Sequence, residues 1–148
     1  MNTPTHSPSP GPIRLLLVDA HDISRSSSRV LLDALPGLFV VGEAGDKQQA
    51  LALANEHRPD IVLMSMRIRE SSGSEMIRLL LQGFPGLRVV ILTLFDSPEY
   101  VQAALDAGAS AYVLKEAPSS DVLTAIERVM AGSTFLSAGL KFPGKGAQ

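Results

Sequence analysis

Short runs of apolar residues recur along the chain, and each is about as long as a β-strand. They lie at residues 15–18, 39–41, 61–64, 89–92 and 111–114. Because the runs are nearly continuous rather than alternating, they indicate strands that are covered on both faces, as in a parallel sheet. The pattern therefore predicts five parallel strands.

The longer segments between these runs carry signals for the start of helices. Asp46 with Gln49 three residues later forms a capping-box pair, and Ser97 precedes Pro98, a residue suited to a first helical turn. Pro118 opens a further segment with one apolar helical face, made of Val122, Ile126, Val129 and Met130. Right-handed crossovers between such βα units give a doubly wound, flavodoxin-like three-layer α/β/α sandwich with a five-stranded sheet.

Composition sets the domain organisation and excludes several classes of protein. With 148 residues and 45% hydrophobic residues, the chain fits one globular domain. We expect a flexible leader at residues 1–12, a domain at residues 13–140 and a tail at residues 141–148. Because the chain has no cysteine, a disulfide scaffold and thiolate metal sites are excluded.

Charge and hydropathy narrow the expected partners. The chain has 13 Lys and Arg against 15 Asp and Glu and no basic block, which argues against direct binding of nucleic acid. It has neither an apolar run of membrane-spanning length nor a secretory signal. We therefore expect a cytoplasmic protein that does not contact a membrane.

A polar side chain follows or closes four of the five predicted strands. These residues are Asp19, Ser65, Thr93 and Lys115. The carboxyl ends of parallel strands meet at one edge of the sheet, which is where open α/β sheets bind ligands. The sequence thus predicts that a carboxylate, two hydroxyls and an ammonium share one rim.

This rim resembles that of the receiver domain of bacterial two-component response regulators. Five phrases are similar to the NarL/FixJ-like subfamily, in order and at its spacing: Leu-Leu-Val-Asp-Ala-His at 16–21, Val-Gly-Glu-Ala-Gly at 41–45, Pro-Asp-Ile-Val-Leu-Met-Ser-Met-Arg at 59–67, Ala-Gly-Ala-Ser-Ala-Tyr-Val-Leu-Lys at 107–115 and Ala-Gly-Ser-Thr-Phe-Leu-Ser at 131–137. The resemblance implies a signalling module rather than an enzyme.

In that family, two adjacent acids after the first strand and an aspartate after the third bind magnesium, and the third-strand aspartate accepts a phosphoryl group. The resemblance maps the acidic pair to Asp19 and Ala20 and the acceptor to Ser65. The hydroxyl and lysine of the family map to Thr93 and Lys115, which are both retained. Two of the three carboxylates are therefore missing.

These departures change the expected chemistry. Mg²⁺ usually needs one or two carboxylates, so a site with Asp19 alone should bind it weakly or not at all, and we expect no cofactor and no metal. A serine hydroxyl such as that of Ser65 is a poor nucleophile unless a base takes its proton. We predict an atypical receiver that acts independently of aspartyl phosphorylation.

The expected mode of action is contact with a protein partner or with a second copy of the chain. The aromatic switch position of the family maps to Tyr112, and Phe95 is expected on the same face as Tyr112. Half-buried packing and a partner surface are equally good interpretations of the two side chains.

Three alternatives stay open. The first is phosphorylation of a surrogate carboxylate, at Asp19, Asp22 or Asp60. The second is a pocket for a small anion, formed with Arg67 and Arg69. The third is that the chain is the N-terminal fragment of a DNA-binding response regulator. The family's helix-turn-helix needs dozens of residues beyond position 137, so we do not expect this chain itself to bind DNA.

Overall fold

The computed structural model describes residues 11–68 and 71–140. The predicted tail, most of the predicted leader and Arg69 lie outside the described residues. The strands are β1 (Ile13–Val18), β2 (Leu38–Ala44), β3 (Ile61–Met64), β4 (Arg67–Ile68), β5 (Ser71–Ser72), β6 (Arg88–Thr93), β7 (Ala111–Leu114) and β8 (Phe135–Leu136). The helices are α1 (Asp22–Asp33), α2 (Lys47–His57), α3 (Gly73–Gly83), α4 (Pro98–Ala107) and α5 (Ser119–Met130).

The main sheet is parallel and has the strand order β2-β1-β3-β6-β7-β8. The doubly wound fold and all five predicted strands are confirmed, but the sheet has a sixth strand. β8 adds only two residues, which pair with Ala111 and Tyr112 of β7. The order reverses between β1 and β3, so a crevice is expected beyond their carboxyl ends.

Helices cover both faces of the sheet, which explains why the strands are almost wholly apolar. Leu16 and Val18 of β1 pack on the side of α2, α3 and α4. Leu15 and Leu17 point to the opposite side, where α1 and α5 lie. Of the predicted apolar face of α5, Val122, Ile126 and Val129 are buried and Met130 is half-buried.

The predicted helix starts are found at the expected positions, with differences in detail. Asp46 caps α2, where its Oδ1 accepts a hydrogen bond from the Gln49 backbone N at 2.9 Å. The Gln49 side chain reaches back to the N–H of Gly45 rather than to that of Asp46. Ser97 is the N-cap of α4, although its side chain makes no capping hydrogen bond in the described part of the chain.

A short antiparallel hairpin of β4 and β5 follows β3 and leads directly into α3. Gly73, the first residue of α3, lies against the backbone of Met66. A Cβ at Gly73 would stand 2.7 Å from the Met66 carbonyl oxygen and 2.8 Å from its Cα. Only glycine fits at this position, so it fixes how the hairpin after β3 returns to the body of the domain.

Among the helices of the described residues, none is both long enough and apolar enough to cross a membrane.

Candidate functional site

Asp19 directly follows β1, and its carboxylate is buried at the carboxyl edge of the sheet, with 3% of the residue exposed. Oδ1 accepts a hydrogen bond from the His21 backbone N at 2.9 Å. Oδ2 accepts one from the Ser24 hydroxyl at 2.5 Å. Both oxygens of this buried charge are therefore engaged, as a buried carboxylate requires.

Lys115 follows β7 and reaches Asp19, as the rim prediction requires. Its Nζ lies 3.6 Å from Asp19 Oδ2 and donates a hydrogen bond to the hydroxyl of Ser24. Ser24 belongs to α1 and was not predicted from the sequence. The three side chains form one cluster of balanced charge, which we call the Asp19–Ser24–Lys115 cluster.

Ser65 follows β3 beside the end of β1. Its backbone N donates to the Val18 carbonyl at 3.1 Å, and its hydroxyl oxygen accepts from the Arg67 backbone N at 3.1 Å. Ser65 and Ala20 are 9% and 8% exposed, so two small buried residues stand where the resemblance expects two further acids.

Thr93 and Tyr112 both hold the backbone of Phe95, in the segment between β6 and α4. Thr93 Oγ1 accepts from the Phe95 backbone N at 3.2 Å, and the Tyr112 hydroxyl donates to the Phe95 carbonyl oxygen at 2.7 Å. Tyr112 is fully buried rather than half-buried, so it cannot itself touch a partner in this conformation. Burial raises the pKa of its hydroxyl above the ordinary value.

Phe95 is half-buried, and its ring stacks on that of Tyr100 with the centroids 5.1 Å apart. The guanidinium of Arg67 lies 5.2 Å from the centre of the same ring, an arrangement typical of a cation–π contact. Arg67 therefore has an aromatic partner.

The two proposed surrogate carboxylates other than Asp19 do not join the cluster. Asp22 lies on the exposed side of α1, where it pairs with Arg25 at 3.0 Å. Asp60 lies at the opposite edge of the sheet, where its Oδ2 accepts from the Arg14 backbone N at 2.9 Å. A surrogate phosphoacceptor at this rim is thus restricted to Asp19, which already accepts from His21 and Ser24.

The donor set at the rim does not fit Mg²⁺. That ion prefers near-octahedral oxygen ligands and one or two carboxylates. The one carboxylate contributed by the predicted rim residues is that of Asp19, whose oxygens already accept hydrogen bonds. Over residues 11–68 and 71–140, no three His, Asp or Glu side chains are grouped as metal ligands.

Comparison with known proteins identifies the family and the fold. A family model described as the response regulator receiver domain matches residues 15–127. The chain is 34% identical over 128 residues to the transcriptional regulatory protein MctR of Rhizobium johnstonii, covering 86% of this chain and 60% of that protein. It is 39% identical over 124 residues to the DNA-binding transcriptional activator DevR/DosR of Mycobacterium tuberculosis, covering 84% of this chain and 57% of that protein.

Among solved structures, the fold matches that of a LuxR-family two-component response regulator from Aurantimonas sp. SI85-9A1. The TM-score is 0.80 at 35% identity, over 86% of this chain and 91% of the other. The chain thus spans less than two thirds of the two curated regulators but most of the solved chain of this LuxR-family regulator. On these grounds the chain belongs to the receiver-domain family of response regulators.

Proposed function

We propose that this receiver domain signals by protein contact and does not accept a phosphoryl group on an aspartate. The observation that carries the proposal is the charge balance of the site. The buried carboxylate of Asp19 is matched by the ammonium of Lys115, with the Ser24 hydroxyl between them. A receiver with three carboxylates has excess negative charge and needs a cation, whereas this site is neutral without one.

The identity of the acceptor residue supports the same proposal. Ser65 stands at the position that the resemblance assigns to the phosphoacceptor, and a serine hydroxyl attacks phosphorus poorly unless a base removes its proton. The Ser65 oxygen accepts a hydrogen bond from the Arg67 backbone N. This contact draws electron density away from the oxygen and does not activate it.

The test is phosphorylation by a small donor. The purified chain is incubated with acetyl phosphate and Mg²⁺. Intact-mass spectrometry then measures whether the mass rises by that of one phosphoryl group and whether hydroxylamine removes the added mass. We expect no such adduct on the natural chain. The matched variant restores both acids, Ala20→Asp with Ser65→Asp, and should acquire both the adduct and a saturable response to Mg²⁺.

A hydroxylamine-labile adduct on the natural chain would contradict the proposal. Peptide mapping of that adduct would then identify the surrogate acceptor among Asp19, Asp22 and Asp60. An orthophosphate or sulfate titration followed by thermal melting tests the remaining alternative, a pocket for a small anion. Since Arg67 lies on the Phe95 ring, we expect a flat response.

For the partner, we propose self-association through α1. Ile23 and Val30 are 84% and 72% exposed, and they lie seven residues apart, two turns along one face of the helix. Exposed apolar side chains that share a face are typical of contact surfaces. We propose a cytoplasmic location for the protein. We do not propose direct contact with DNA or with a membrane.

Sedimentation velocity over a range of concentrations tests this surface. We expect a dimer that the double variant Ile23→Glu with Val30→Glu converts to a monomer. Phe39→Glu is the matched control because Phe39 is also exposed, at 55%, but lies on β2. A chain that stays monomeric at all concentrations, or a dimer that survives the α1 variant, would show that α1 is not a self-association surface.

A further inference from the structure

The connection between Asp19 and Lys115 does not depend on a direct hydrogen bond. The two charged atoms are 3.6 Å apart, beyond the range of about 2.7 to 3.2 Å for N–H···O hydrogen bonds. The hydrogen-bonded path runs instead through Ser24, which accepts from Lys115 Nζ and donates to Asp19 Oδ2. A hydroxyl can do both at once, since it has one proton and two lone pairs.

The strand order shows what this path crosses. β1 and β7 are separated in the sheet by β3 and β6, so their ends are three strand spacings apart, about 14 Å. Ser65 follows β3 and Thr93 ends β6, so both lie between the backbone positions of Asp19 and Lys115. The lysine side chain therefore runs across the ends of β6 and β3 to bring its ammonium to Asp19.

The hydroxyl of Ser24 comes from a different layer of the fold. Ser24 is the third residue of α1, whereas Asp19 and Lys115 follow strands of the sheet. The cluster thus joins the first turn of α1 to the segment between β7 and α5. All three members of the cluster are side chains of the protein itself.

We propose that Ser24 is a positioning residue that holds the Lys115 ammonium on Asp19 and thereby keeps the pocket closed over the ends of β3 and β6. This inference rests on the proposed phosphorylation-independent function. It goes further by naming the group that fixes the lysine.

The direct test follows the ammonium of Lys115 in the full chain. In ¹⁵N-lysine-labelled protein, the exchange of the Nζ protons with water is measured by NMR, with Lys115→Arg to assign the signal. We expect Ser24→Ala to speed exchange at least tenfold, because the hydroxyl that accepts from Nζ is gone. Ser24→Thr keeps a hydroxyl and should restore slow exchange.

The matched control is Ser26→Ala, since Ser26 is an exposed serine on the same helix. It should leave the Lys115 exchange rate unchanged. The melting temperatures of all variants are measured as well. Faster exchange at an unchanged melting temperature indicates a released ammonium rather than a destabilised fold. Natural and Ser24→Ala proteins with the same exchange rate would overturn the proposal.

A second measurement uses the restored receiver, Ala20→Asp with Ser65→Asp. An acid at position 65 competes with Asp19 for Lys115, and Ser24 favours Asp19. Adding Ser24→Ala should therefore raise the rate of phosphorylation by acetyl phosphate about tenfold. An unchanged rate would contradict the proposed role of Ser24.

If the Ala20→Asp, Ser65→Asp variant accepts no phosphoryl group with or without Ser24→Ala, the exchange rates of the Lys115 ammonium alone decide the role of Ser24. The two proposals can fail separately. An aspartyl adduct on the natural chain would contradict the proposed function, whereas unaltered ammonium exchange in Ser24→Ala would contradict only the role of Ser24.

Discussion

Replacement of Tyr112 by phenylalanine removes one buried hydroxyl and leaves the packing of the ring in place. That hydroxyl donates to the Phe95 carbonyl at 2.7 Å. Loss of a buried hydrogen bond that leaves its acceptor unpaired lowers stability by about 1–3 kcal/mol. Because Phe95 is half-buried and water can reach part of the segment, we expect the lower half of that range, about 1–2 kcal/mol.

The assay is unfolding by urea and by heat. For a domain of this size, the loss corresponds to a fall in melting temperature of about 3–8 °C. Tyr100→Phe is the matched control, since Tyr100 is 40% exposed, and it should change stability by less than about 0.5 kcal/mol. Natural and Tyr112→Phe proteins of equal stability at neutral pH would refute the reasoning.

The pH dependence gives a second, independent part of the same prediction. Burial raises the pKa of Tyr112, so the unfolded chain loses this proton first as the pH rises. The stabilisation from the neutral hydroxyl is therefore complete below the ordinary pKa of about 10 and declines above it, by at most about 1.4 kcal/mol per pH unit. The advantage of the natural chain over Tyr112→Phe should narrow above pH 10, and a constant difference would contradict the assigned burial effect.

Two further substitutions test local features of the fold. Gly73→Ala should lower stability by about 1–3 kcal/mol because its Cβ would press on the Met66 carbonyl. The control is Gly83→Ala in the same helix, whose Cβ meets no described atom within 4 Å and which should be neutral or slightly stabilising. Equal melting temperatures of the two variants would contradict the close approach of Gly73 to Met66. Asp46→Ala should lower stability by about 1 kcal/mol through loss of the cap on α2. Ser97→Ala should lower it by clearly less, because the Ser97 side chain makes no capping hydrogen bond in the described part of the chain. A larger shift in urea midpoint for Ser97→Ala than for Asp46→Ala would contradict this order.

Most of the fold could be predicted because the strands are covered on both faces. Their continuous apolar runs stand out from the amphipathic segments between them, and this contrast located five of the six strands of the main sheet. β8 could not be found in this way, since two residues, Phe135 and Leu136, carry no periodicity. The hairpin of β4 and β5 is equally short, and its position depends on the close approach of Gly73 to Met66.

The rim was predictable from chain order, but its connections were not. Residues that follow parallel strands must share an edge, so Asp19 and Lys115 were expected to meet. Ser24 lies on a helix, and helical side chains lean towards the N-terminus of their helix, a direction that spacing alone does not reveal. For Tyr112, half-buried packing and a partner surface were equally good interpretations, and neither included full burial, which is possible because the Phe95 carbonyl accepts from its hydroxyl inside the protein.

The hydrogen bond between Ser24 and Lys115 joins residues 91 positions apart in the chain. Contacts of such long sequence separation form slowly, because a large loop must close before they contribute any energy. During synthesis, Asp19 and Ser24 leave the ribosome long before Lys115, so the early part of the chain holds a negative charge with no counter-ion from its later partner. The Asp19–Ser24–Lys115 cluster is therefore neutral only in the fully folded chain. A truncated or half-folded chain would leave the Asp19 carboxylate without its counter-ion.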